Sequence, residues 1–315
     1  MSTAGALGSA AQVAVVAGGS PLLVGLMRQV RARLEGRAGA GIGQPWRDLR
    51  KLLRKEQITP TGTGWVFRAA PLTLAATVLV VAAVAPFATT SSPLDPVADL
   101  FAVVALLALG TVALALAGLD TGTAFGGMGA SREVTVLALV EPTILLSVFA
   151  LSVRVGSSNL AAIVGATVRD PLVVISPVSL LAAVALAVVT VAEAGRLPVD
   201  NPSTHLELTM IHEAMVLEYA GPDLALVEWA SAMRLGVLLG LLATLFAPWG
   251  IATGAGLAAI PLALAVFAAK VAVLGVVLAA AEVSMAKLRL FRVPELLAGS
   301  FLLALLAVAA SFFLG

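Results

Sequence analysis

Uncharged, apolar stretches of about twenty residues recur along the chain, separated by short clusters of charge. A helix rising 1.5 Å per residue needs about that length to cross a ~30 Å hydrocarbon core. Met1–Met27 is the first stretch and Arg28 ends it; basic residues follow it and none precedes it, which suits a span rather than a cleaved leader. Ala69–Leu94 is the second, interrupted by Pro86 and by Ser91-Ser92-Pro93. Leu100–Leu119, Val134–Val153 (broken only by Glu141) and Pro171–Ala192 follow. Leu235–Ala269 is too long for one span and is split at Pro248-Trp249-Gly250 and the glycines to Gly256; its second half continues past Lys270 to about Val283. Leu296–Gly315 is the last. The pattern predicts an all-α polytopic membrane domain over 1–315, with eight transmembrane helices.

Composition sharpens this. The 315 residues are 60% hydrophobic and only 12% charged, about half the charge of an ordinary soluble domain. That excludes an ordinary water-soluble enzyme, and no nucleic-acid partner is expected. No cysteine is present, so the chain has no thiolate ligands for zinc or iron–sulfur clusters.

The distribution of Lys and Arg sets the orientation. Of 19 basic residues, only Arg154 and Arg169 flank the even connections and Lys270 lies within a span; the other sixteen flank the odd ones. The odd connections are therefore expected in the cytoplasm and both termini outside, in a multi-pass protein of the cell membrane.

Two cytoplasmic connections are long and patterned. Residues 28–64 are basic. Within them Gln44–Lys55 predicts a short amphipathic helix with Pro45 in its first turn; Trp46, Leu49, Leu52 and Leu53 share one face, and Arg47, Arg50, Lys51 and Arg54 lie around the other. Such a helix suits either the surface of an anionic bilayer or a soluble docking partner. Residues 193–234 are acidic: Glu193, Asp200, Glu207, Glu213, Glu218, Asp223 and Glu228 face only Arg196 up to Glu228. Asn201-Pro202 signals a helix start and Gly221-Pro222 its stop. On a helix His205 and His212 fall about 20° apart, as do Glu207 and Glu218, but the two pairs point to opposite sides. A shared metal site is therefore not expected, and a solvated acidic loop is the plain alternative.

Charge also stands inside the spans. Glu133 lies at the entrance of the fourth, and Glu141 about 12 Å further along it, followed by Pro142. Lys270 is near the middle of the seventh and Glu282 near its cytoplasmic end. Intramembrane ionisable groups mark an ion or proton path, or else a structural ion pair such as Glu141 with Lys270.

These segments resemble a known family. Glu193-Ala-Gly-Arg196-Leu-Pro198-Val-Asp200-Asn-Pro-Ser-Thr-His205-Leu-Glu207-Leu-Thr-Met-Ile-His212-Glu213-Ala-Met-Val-Leu-Glu218-Tyr219 resembles the signature loop of formate hydrogenlyase subunit 4, the membrane subunit of group 4 nickel–iron hydrogenases, homologous to a membrane subunit of respiratory complex I. Gly36-Arg37, Gln44-Pro45, Asp48, Lys51-Leu52 and Lys55-Glu56 resemble the family's first loop, and Ser131-Arg132-Glu133-Val134 its fourth-helix entrance. Ala40 departs from the proline common there.

The resemblance implies a non-catalytic subunit that anchors a peripheral redox arm and passes protons. Glu133, Glu141, Glu193, Asp200, Glu207, Glu213, Glu218, Lys270 and Glu282 would form the proton path. Arg37, Gln44, Trp46, Arg47, Asp48, Arg50, Lys51, Arg54, Arg196, His205, His212 and Tyr219 would dock partners. Those partners would be hydrogenase-like large and small subunits, an iron–sulfur subunit and antiporter-like membrane subunits. The nickel–iron centre and clusters would sit on partners and none on this chain, with quinone the alternative ligand. A quinone-site subunit and, further off, a stand-alone transporter are the competing readings.

Overall fold

The computed structural model describes residues 3–170, 175–200, 210–253 and 258–314. Among these there are helices and no strands: α1 Thr3–Leu34, α2 Gln44–Leu52, α3 Trp65–Val84, α4 Leu100–Asp120, α5 Ala124–Val155, α6 Leu160–Arg169, α7 Pro177–Glu193, α8 His212–Val216, α9 Gly221–Phe246, α10 Ala259–Ser284 and α11 Val293–Leu314. Seven of the described helices are long and apolar enough to cross a membrane; α7, at 17 residues, falls just short by length. The protein is a multi-pass helical membrane protein. Helices suit that solvent because they satisfy their own backbone groups where lipid cannot.

Boundaries differ from the charge punctuation. α1 runs on past Arg28, so Arg28, Arg31 and Arg33 stand on a helix. α3 ends at Val84, and Ala85 after it has the extended backbone that a following proline demands. α5 begins ten residues before Val134, capped by the Thr123 hydroxyl, which accepts from the Gly126 amide. Gly126 there lies so close to the Gly118 carbonyl that a Cβ would sit 2.2 Å from it. No span or charge pattern marks α6, where the Asn159 side chain caps the helix at 2.9 Å from the Ala162 amide. Gly221-Pro222, expected to stop a helix, instead opens α9. The acidic connection is therefore shorter than 193–234, and Glu228 and Arg234 belong to the helix. Of the helix expected from Asn201 to Gly221, residues 201–209 lie outside the described residues, and in the remainder only the five-residue α8, His212–Val216, is helical.

In the bundle α4 packs between α3 and α5, α11 packs on α5 and α7, and α9 packs on α1, α3 and α10. α2 lies across α1 and α9. It can come close because Gly25 of α1 has no side chain; a Cβ there would meet the Ile42 carbonyl oxygen at 1.8 Å. Of its predicted apolar face only Leu49 is buried, while Leu53 is exposed.

Candidate functional site

The two long connections and the helix ends beside them enclose a cavity of about 650 Å³. Arg28 and Arg31 of α1, Arg37, Asp48 and Leu49 of the first connection, Thr111 and Leu114 of α4 and Glu133 of α5 line one part. Glu193, Arg196, Asp200, His212 and Glu213 of the second connection, with Glu228, Ser231, Arg234 and Leu235 of α9, line the rest. Apolar residues including Val24, Leu74 and Val227 complete the wall. Sequence distance hides this: the residues are scattered along the chain and meet where the helix bundle packs and α2 folds back over the α1–α9 seam.

Three charged joints hold the cavity together. In the first, Arg31 donates to Glu282, whose side chain is fully buried, and Arg196 lies 3.8 Å from the same carboxylate. Glu282 therefore joins α1, the second connection and α10 rather than lying wetted at a helix end. Burial pushes the Arg196 guanidinium below its usual range, and Glu282 opposes that shift. In the second, Arg234 donates both to Glu193 and to the Leu107 carbonyl, and the Thr111 hydroxyl donates to Glu193 at 3.2 Å. Arg234, a flanking charge by its place in the sequence pattern, is a buried cation thirteen residues into α9. In the third, Asp200 binds Lys287 at 2.8 Å and accepts from the amides of Ile211 and His212, while the Leu288 amide donates to the Pro198 carbonyl. This fastens the α10–α11 connection onto the second long connection.

The remaining expected residues are dispersed. Glu141 is partly buried in α5, outside the cavity lining. Lys270 does not meet it: its ammonium donates to the carbonyls of Ala247 and Trp249, closing the C-terminal end of α9. Glu218 is half-buried and outside the lining. Tyr219 is no surface contact; it is buried, stacks on Phe67 at 4.1 Å and donates to the Phe67 carbonyl at 2.8 Å. Burial raises the Tyr219 phenol above its usual range. His205 and Glu207 lie outside the described residues. His212 is in the cavity wall with its Nε2 3.4 Å from the Ser231 hydroxyl. Among the described residues no three His, Asp or Glu side chains come together as a metal site.

On α2, Gln44 donates to Asp48 at 2.8 Å, and Arg47 donates to Gln44 and to the Ala40 carbonyl. Trp46 stays exposed, and its indole N–H donates to the Gly18 carbonyl of α1 at 3.1 Å. Arg50, Lys51 and Arg54 are exposed, and Arg37 pairs with Glu35.

These features define a multi-pass helical membrane protein with a charged cavity walled by its two longest connections. The chain belongs to the NADH dehydrogenase family, whose pattern spans residues 8–313. It is 36% identical to formate hydrogenlyase subunit 4 of Escherichia coli (strain K12) over 288 residues, 91% of this chain and 92% of that protein. Hydrogenase-4 component C of the same organism is 36% identical over 291 residues, 91% of this chain and 90% of that one. A subunit of the NADH-quinone oxidoreductase of Syntrophobacter fumaroxidans (strain DSM 10017 / MPOB) is 31% identical over 240 residues, 71% of each chain. A chain of the membrane-bound sulfane sulfur reductase, an archaeal respiratory membrane complex, shares the fold with a TM-score of 0.80 at 20% identity, over 97% of this chain and 98% of that one.

Proposed function

We propose that this chain is the membrane-anchoring and proton-transfer subunit of a complex I-like, membrane-bound nickel–iron hydrogenase or formate hydrogenlyase-type complex. The observation that carries this reading is the cavity, which carboxylates from both long connections line and where Glu193 meets the buried Arg234 of α9. The proposed topology has eight spans, with α7 crossing despite its length, both termini outside and the two long connections in the cytoplasm. There the exposed Arg50 and Lys51 of α2, with Arg54 just after it, would meet a peripheral arm carrying the nickel–iron centre and clusters. Protons would pass from Glu213, Glu228 and Glu193 through Glu133 toward Glu141. A carboxyl group suits that task because it exchanges a proton with water and neighbouring carboxylates without leaving its place.

A second reading is a quinone-site subunit. The apolar wall of Val24, Leu49, Leu74, Leu114 and Val227 favours it, as does the likeness to an NADH-quinone oxidoreductase subunit. Affinity purification from native membranes, with subunit identification and metal analysis, separates the two. Co-purifying nickel and a hydrogenase-like large subunit supports the first reading. Clusters without nickel support the second, and a chain purifying alone overturns both. Reversing Arg47, Arg50, Lys51 and Arg54 to Glu is expected to release the peripheral subunits while the membrane protein still accumulates.

A further inference from the structure

Glu133 lines the cavity, but Glu141, about 12 Å further along α5, does not. Two buried atoms near this gap have no hydrogen-bond partner among the described residues: Nε of Arg234 and Oε1 of Glu141. The Arg234 side chain is 8% exposed, lines the cavity and spends its Nη2 on Glu193 and the Leu107 carbonyl. Besides Glu193, the carboxylates whose charges reach it are Glu133 and Glu141. An unpaired buried N–H on the wall of a polar cavity and an unpaired buried carboxylate oxygen beyond that wall are the partners that ordered water requires.

We propose that Arg234 is a positioning residue that holds ordered water between the cavity and Glu141, making the one junction through which a proton passes from Glu133 and Glu193 into α5. This rests on the proton-transfer reading above. In the step, a protonated Glu133 gives its proton to the first water as the last water gives one of its own to the Glu141 carboxylate. Each water breaks one O–H bond and forms another, so none is consumed. The guanidinium stays protonated throughout and transfers nothing; it fixes the water by donating from Nε while Nη2 keeps Glu193 in place. Lysine in its place would keep the charge but offer all its donors from one atom, so it could hold Glu193 and lose the water.

The test uses the purified whole complex in proteoliposomes, with protons translocated per redox turnover as the readout. Arg234→Lys is expected to assemble, and its protons per turnover are expected to fall at least fivefold, as they should for Glu141→Gln. If Arg234→Lys keeps the wild-type ratio while Glu141→Gln loses it, Arg234 only ties α4, α7 and α9 together and the inference fails while the path stands. If both keep the ratio, the path reading itself fails and takes this inference with it. Should Arg234→Lys not accumulate, an experimental structure of the wild-type complex decides. Water within hydrogen-bond distance of Arg234 Nε, leading to Glu141, supports the junction; direct contact between the two side chains, or apolar packing between them, overturns it.

Discussion

The indole N–H of Trp229 donates to the carbonyl of Ala17 at 2.9 Å. Ala17 stands four residues before Pro21, which lies inside α1 and has no N–H to offer it. Gln12 repairs a second such position: its amide donates to Ala82, four residues before Pro86, and to Ala85, and its oxygen accepts from the Ala88 amide. Pro21 leaves a gap inside α1 and Pro86 follows the end of α3, and in each case a polar side chain from a neighbouring helix takes up the carbonyl left over. Helix-breaking residues are thereby turned into contacts between helices. Trp229→Phe is expected to cost about 1 kcal/mol. Pro21→Ala returns the missing donor, so the same Trp229→Phe change should cost less in that background. Thermal midpoints of the four proteins in detergent, compared as a double-mutant cycle, measure the difference; full additivity would mean that Trp229 and Pro21 are not linked.

Glu282 has no exposed side-chain surface and stands against Arg31 and Arg196. Glu282→Gln leaves two largely buried guanidinium groups without their anion and is expected to cost about 3–5 kcal/mol. Combining Glu282→Met with Arg31→Met should be milder than Glu282→Met alone, because one of the stranded cations goes with its partner. Yield of monodisperse protein and thermal midpoint report both effects. A Glu282→Gln protein of wild-type stability would show that the joint between α1 and α10 carries little.

Tyr219 makes alkaline stability informative. Its phenol is raised in the folded protein, whereas the unfolded chain ionises near pH 10. Above that pH the unfolded state releases a proton that the folded state keeps, so stability is full below about pH 10 and falls as pH rises beyond it. Tyr219→Phe is expected to begin less stable, having lost the bond to the Phe67 carbonyl, and to decline less steeply from about pH 9 to 11. Parallel decline of the two proteins would remove Tyr219 as the source.

The chain has no native cysteine, so single cysteines can map the proposed orientation without background. Arg50→Cys on α2 is expected to react with an impermeant thiol reagent only after the cytoplasmic side is opened. Ser91→Cys, beyond the opposite end of α3, should react in intact cells. Labelling of both from one side would contradict the eight-span arrangement.

The expected spans, the amphipathic helix at Gln44 and the acidic connection are legible in the sequence because each is a local pattern of apolarity, proline or charge. Helix ends are less so. Charge punctuates the apolar stretches, yet Arg28, Glu133 and Arg234 stand inside helices because each finds an anion, a cavity or a carbonyl there. Membership in a family is legible from Glu193 to Tyr219, a segment whose order of charged, proline and aromatic residues is long and specific. The roles within it are not. Tyr219 looks like a contact residue in the sequence and is buried against Phe67 in the structure, stacked on its ring and bonded to its carbonyl.

By itself, then, the sequence determined that this is a helical membrane protein with one basic and one acidic connection, since hydropathy and charge act within a few residues of where they stand. Which charges share a cavity was decided only by the tertiary structure. Glu193 and Arg234 are 41 residues apart, and Arg31 and Glu282 are 251 apart. Nothing in either neighbourhood names its partner. In a low-dielectric bundle a charge is tolerated where packing delivers its counter-charge, and that is a property of the assembled helices rather than of any one of them.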